Sequence, residues 1–206
     1  MGKLDLGWVA ITFVVFLFST SCHEAAHAAM ANWWGDPTGK EAGQLTLNPL
    51  PHIQREPWGM VVFPLVMLLG GGMLMGWAST PVNPSRMRNV RWGDFWTSAA
   101  GPMTNFLLVI IFFILCKIVG SSLGAGLGEF HDATTQFLWT GVRLNIILTI
   151  LNLIPVPPLD GGNMMSNLLP YNVAQIYNQI RPFGFFILIA QIYYLVIDYF
   201  EIKIIF

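Results

Sequence analysis

Long uncharged runs constrain this chain more than any other feature. From Leu6 to Cys22 there is no charged residue, and none from Pro57 to Ser85. Phe95–Cys116 is equally clean, and Ala133–Leu159 carries a single arginine, Arg143. A helix needs about 20 mainly apolar residues to cross a bilayer, so these runs predict spanning helices. Composition agrees: of 206 residues, 54% are apolar and only 10% charged, against roughly 25% charged in a soluble domain. Ten Lys+Arg against eleven Asp+Glu give a formal net charge of −1. That excludes the electropositive footprint of a nucleic-acid binder, and the hydrophobicity excludes disorder. Cys22 and Cys116 both lie in apolar runs, so no disulfide framework is implied. The fold class expected is an all-α polytopic membrane protein embedded in a lipid bilayer.

The expected elements are about four spanning helices plus a re-entrant or fifth hydrophobic segment at Trp58–Ala78, which Gly70-Gly71-Gly72 interrupts. If that segment crosses fully, the basic residues divide five to five between the two faces. If it dips and returns, Lys40, Arg55, Arg86, Arg88, Arg91 and Arg181 share one face, leaving Lys3, Lys117, Arg143 and Lys203 on the other. Positive residues favour the cytoplasmic side, so the dipping arrangement gives the better split. Asn163–Ile180 is uncharged but too polar to face lipid, and reads as an interfacial or protein-packed helix. Phe183–Ile197 with the tail to Phe206 reads as the last span.

His23-Glu24-Ala25-Ala26-His27 is an H-E-x-x-H motif on the first predicted span. Residues four apart stack on one helical face, so both imidazoles can reach one Zn²⁺. The glutamate between them can take a proton from an attacking water. With 4 His and 5 Glu in the chain, chance produces this pattern in about two of a thousand such sequences. Ionisable residues inside a span cost about 2.5–3.5 kcal/mol each on insertion scales, and three within five residues are hard to explain structurally. Two histidines leave zinc short of a third protein ligand. The candidates are His52, His131, Asp160 and the other acids. Asp160 stands out, because Asn152–Gly162 ends a long apolar run with Pro155, Pro157 and Pro158. Such broken backbone at membrane depth is tolerated only when buried in protein or lining a watery cavity.

Three stretches together resemble the site-2 protease family of intramembrane zinc metalloproteases. They are His23–His27, Ala100-Gly101-Pro102-Met103-Thr104-Asn105 (like the family's A-G-P-x-x-N), and Asn152–Gly162 (like its N-x-x-P-x-x-x-x-D-G). The resemblance implies a single membrane-embedded domain over 1–206, with a catalytic core at about 8–165 and accessory C-terminal helices over 166–206. It implies one zinc held by His23, His27 and Asp160, with Glu24 as acid/base and Asn152 binding substrate or the oxyanion. Asn105 is read as structural. The helices of His23 and Asp160 should run parallel, which favours the dipping arrangement and turns the zinc toward the cytoplasm. No PDZ or CBS-like stretch occurs, so the likeness is to a minimal, small bacterial type in a cytoplasmic membrane.

The same subgroup tends to read H-I-D-P-x-G where this chain has His52-Ile53-Gln54-Arg55-Glu56-Pro57-Trp58-Gly59, so His52 reads as a solvated loop histidine. Thr38–Leu47 is expected to form a short β-hairpin near the active site, offering an edge to an unwound substrate strand. The expected activity is hydrolysis of peptide bonds within or near transmembrane segments of membrane-protein substrates. A non-catalytic membrane zinc protein or ion carrier is the alternative; it should spread its polar residues along a path instead of converging them on one point.

Overall fold

A computed structural model describes residues 5–71, 74–120, 128, 130–180 and 182. Three of its helices are long and apolar enough to cross a membrane: α1 (Leu6–Trp34), α5 (Val90–Val119) and α6 (His131–Leu153). The fourth expected span, from Phe183 onward, lies outside the described residues. Helix α1 begins where the Asp5 carboxylate accepts the Trp8 amide (3.1 Å). It ends at Gly35, whose φ of +105° lets its amide turn back to the Ala31 and Asn32 carbonyls; a side chain there would be strained.

Contacts between the long helices fix their directions. Ring and backbone neighbours pair Trp34 with Arg88, His27 with Thr97, His23 with Asn105 and Phe18 with Phe112, so α5 runs antiparallel to α1. Asn105 meets Asn145 and Phe113 meets Trp139, so α6 reverses again and runs parallel to α1. Half of the most apolar stretch of α1 is buried, against 22% for α5 and for α6. The first helix is therefore the central one. The outer face of α5 exposes Phe106, Ile110 and Ile114, as a lipid-facing surface does.

Between α1 and α5 the chain makes short elements: α2 (Thr38–Glu41), α3 (Pro49–Arg55), a π-helical turn (Trp58–Val62) that runs into α4 (Phe63–Gly71), and a 3₁₀ turn (Pro84–Arg86). The segment after Pro57 goes out and comes back. The Trp77 amide donates to the Gly59 carbonyl (3.1 Å), Arg55 Nε donates to the Ser79 carbonyl (3.0 Å), and Ser79 Oγ donates to Glu56 (2.5 Å). Its two ends are thus adjacent, as the dipping arrangement requires. Trp33, near the end of α1, and Trp92, in the first turn of α5, are well exposed. Amphipathic rings in these positions suit the level where a membrane protein meets the headgroups.

The expected β-hairpin over Thr38–Leu47 is not formed, and no strand occurs among the described residues. The buried Asp36 carboxylate takes the Thr38 amide (3.1 Å), the Thr38 hydroxyl (2.5 Å) and the Asn83 amide (2.6 Å). That cap winds Thr38–Glu41 into a helical turn. Gln44 is then held by the Pro51 carbonyl (3.1 Å). Local side-chain bonds of this kind outcompete a ladder, and the alternation of Gln44-Leu45-Thr46-Leu47 remains without a partner strand among the described residues.

His52 is also not the solvated loop residue expected. It sits in α3, 1% exposed, with Nε2 donating to the Thr46 carbonyl (2.9 Å). The polar stretch after Asp160 divides at Pro170 into α7 (Asp160–Leu168) and α8 (Tyr171–Asn178).

Candidate metal centre

One turn of α1 carries His23, Glu24 and His27, all buried. The parallel course of α6 delivers the chain end that follows it to the same level. After Leu153 the prolines prevent further helix, and the chain restarts as α7 with Asp160 in its first turn, where the helix dipole favours a carboxylate. The restart is tight: a Cβ on Gly161 would lie 2.4 Å from the Leu153 carbonyl oxygen, and one on Gly162 2.5 Å from the Pro157 nitrogen. Only glycines let α7 fold back on the end of α6 and aim Asp160 at α1.

The outcome is a compact donor set. Asp160 Oδ2 lies 3.1 Å from His23 Nε2, and Asp160 Oδ1 lies 3.4 Å from His27 Nε2. The two Nε2 atoms are 3.0 Å apart. Ligand atoms of the three residues all fall within 4.8 Å of one another. The other candidates are elsewhere: His52 is bonded to Thr46, and His131 is exposed at the start of α6, facing Asp132 (3.5 Å).

The chemistry of these donors tests whether a cation fits. His27 Nδ1 faces the Thr97 carbonyl (2.7 Å), which can only accept, so that nitrogen carries the hydrogen. His23 Nδ1 faces Asn105 Oδ1 and likewise donates. In the neutral rings both Nε2 atoms then present lone pairs, toward each other and toward a carboxylate. Two imidazole nitrogens and a carboxylate converging in this way are a donor set that suits a metal ion. Distances and donor types match zinc's preference for imidazole and carboxylate, and three protein ligands leave a fourth position open.

Supporting contacts come from α5. A Cβ on Gly101 would stand 2.5 Å from His23 Nε2, His23 Cε1 and His27 Nε2, so both rings lie directly on its backbone. Pro102 leaves the Ser98 carbonyl without its helical donor, and in that same turn the Thr97 carbonyl serves His27. The Glu24 side chain is 5% exposed, and its Oε2 is buried with no hydrogen-bond partner. An unpartnered carboxylate oxygen beside two imidazoles is costly unless something else uses it. Asn152 is not part of this cluster: its Nδ2 donates to the Leu148 carbonyl of its own helix (3.0 Å).

Sequence reasoning assigned no part to Thr97, Ser19 or Asn145, which back the histidines. Polar residues inside apolar spans were the available signal for Ser19 and Asn145; a carbonyl acceptor such as that of Thr97 leaves none.

Residues 11–192 match the model of peptidase family M50. A relative from Bacillus subtilis, named "Putative zinc metalloprotease YwhC", is 34% identical over 184 residues, covering 89% of this chain and 78% of the relative. A second from Mycolicibacterium smegmatis, named "Putative zinc metalloprotease Rip2", is 27% identical over 196 residues, covering 90% and 68%. No solved structure matches. A family match over most of the chain, joined to a His-His-Asp donor set consistent with one zinc, makes this chain a member of peptidase family M50, the site-2 protease family of membrane zinc metalloproteases.

Proposed function

We propose that the chain is an intramembrane endopeptidase that hydrolyses peptide bonds within or near transmembrane segments of other membrane proteins. The observation that carries this reading is the depth of the donor set. His27 lies seven residues, and His23 eleven, before the tryptophan end of α1, which is roughly 10–16 Å inside the interface at 1.5 Å per residue. An open apolar groove of about 360 Å³ runs between α1 and α5, lined by Ala25, Ala26, Ala29, Leu45, Thr104 and Leu107, on a different face of α1 from His23 and His27. A substrate segment arriving through lipid would meet that groove.

His23, His27 and Asp160 would hold the ion. Zinc bound there supplies Lewis acidity toward a carbonyl and toward water. Glu24 acts as the base: its free Oε2 accepts a proton from the attacking water and returns it to the leaving amine nitrogen. Asn152 is assigned to the substrate carbonyl, and to reach it Nδ2 must leave Leu148. The low dielectric of the buried site strengthens each of these interactions. The protein belongs, on this reading, in a prokaryotic cytoplasmic membrane with the zinc end inward. In support, Lys40, Arg55, Arg86 and Arg88 belong to the connection between α1 and α5 and Arg91 to the first turn of α5, as the positive-inside rule asks.

The test is cleavage of a panel of single-span substrates in bilayers by wild type and by Glu24→Gln. Glutamine keeps the shape but cannot take the proton, so hydrolysis should vanish while fold and zinc content persist. Turnover by Glu24→Gln within tenfold of wild type removes Glu24 from the base role. Cleavage restricted to soluble unfolded peptides removes the intramembrane substrate.

A further inference from the structure

Behind His23 a line of buried amides crosses all three long helices. Asn145 Nδ2 on α6 donates both to the Gly141 carbonyl (2.8 Å) and to Ser19 Oγ on α1 (2.9 Å). Asn105 Nδ2 on α5 donates to Asn145 Oδ1 (2.8 Å), and Asn105 Oδ1 accepts from His23 Nδ1. Ser19, Asn105 and Asn145 are each 0% exposed.

The order of these bonds has one direction, and its origin can be traced. The Gly141 carbonyl has no hydrogen to give, so the Asn145 atom facing it must be the NH₂. The oxygen of Asn145 then faces Asn105, which must answer with its own NH₂. The oxygen of Asn105 is thereby left for His23, and His23 Nδ1 must carry the hydrogen. Turning either amide over would set oxygen against oxygen or hydrogen against hydrogen, with no water at this depth to compensate. His27 needs no such relay, because the Thr97 carbonyl fixes its tautomer in one step (2.7 Å).

We propose that Asn145 is a positioning residue of the zinc centre: acting through Asn105, it imposes the His23 tautomer that presents the Nε2 lone pair to the ion. This rests on His23 being a zinc ligand. Outer partners of metal-bound histidines typically change metal affinity by 10–100-fold. Here the influence enters two residues back from the ligand, from a helix that contributes no ligand of its own.

The experiment measures zinc affinity by chelator competition, and the visible spectrum of the cobalt-substituted protein, for four chains. Wild type is compared with Asn145→Leu, with Asn105→Asp, and with the double variant. Asn145→Leu should weaken zinc about 10–100-fold and shift the cobalt bands, since Asn105 is then free to turn its NH₂ toward His23. Asn105→Asp alone sets a carboxylate oxygen against Asn145 Oδ1 and serves as the background for the double variant, in which that clash is gone and the carboxylate accepts from His23 Nδ1 whichever way it is turned. For the same reason the double variant should recover most of the affinity that Asn145→Leu loses. Asn145→Ser, too short to reach Asn105, should repeat the loss if the leucine variant does not fold. Folded Asn145→Leu or Asn145→Ser binding zinc within threefold of wild type overturns the proposal. So does a loss that the double variant fails to recover, which is what a merely structural role gives. Wild type that binds no zinc overturns the metal centre itself, a result separable from the other two.

Discussion

Replacing Gly101 with alanine sets two local effects against each other. In a helix interior alanine is favoured over glycine by about 1 kcal/mol, so α5 by itself gains. The added methyl, however, would lie 2.5 Å from His23 Nε2, His23 Cε1 and His27 Nε2. Ordinary contact begins at 3.4 Å, so the rings must retreat by about 0.9 Å. They are tethered against doing so, because His23 Nδ1 is bonded to Asn105 and His27 Nδ1 to Thr97, both on α5 itself. Overpacking of this kind costs about 1–3 kcal/mol, which the helical gain partly offsets. The metal-free fold should therefore lose no more than about 2 kcal/mol. Zinc has no such tolerance: ligand distances hold to about 0.2 Å, well under the displacement required. Zinc affinity should fall at least 100-fold, or about 2.7 kcal/mol. The assay pairs chelator competition with thermal unfolding of the metal-free protein in detergent. A folded Gly101→Ala protein with wild-type zinc affinity would refute the reasoning, since the rings could not then be resting on that backbone.

Asp160→Ala should lose stoichiometric zinc, read by metal analysis of the purified protein; full occupancy in that variant would move the third ligand elsewhere. Single cysteines at positions 55 and 88 should label from the same side of sealed vesicles, because Arg55 is bonded to Ser79 at the return of the dip; labelling from opposite sides would make 58–78 a true span. Burial pushes the Asp36 carboxyl up, but the Thr38 hydroxyl and the amides of Asn83 and Thr38, with Arg86 nearby, outweigh it and hold the group below the usual carboxylate range. Its folded value being the lower one, Asp36 adds stability above the unfolded value of about 3.9, and that stability is lost as pH falls through the folded value. Asp36→Ala should accordingly cost about 2 kcal/mol at neutral pH and flatten the acid limb of a stability-against-pH curve; an unchanged acid limb would assign the acid sensitivity to other groups.

What the sequence determined by itself is whatever depends on near neighbours along the chain. Uncharged runs of span length mark α1, α5 and α6, because lipid admits only backbone that satisfies itself. Histidines four apart share a helical face under any tertiary arrangement, so the metal-binding half of the site was legible at His23 and His27. The proline-rich stretch before Asp160 announced the end of α6 for the same local reason. Other outcomes depended on residues far apart. Whether His52, His131 or Asp160 completes the donor set is decided by the antiparallel course of α5 and the parallel return of α6, and residues taken singly cannot show it. The hairpin expected over Thr38–Leu47 lost to a cap in which Asp36 also holds Asn83, 47 positions away. The rings resting on Gly101 and the amide line from Gly141 to His23 likewise exist only once three helices lie side by side. Local periodicity fixes which way a side chain leaves its own helix; only packing decides what it meets.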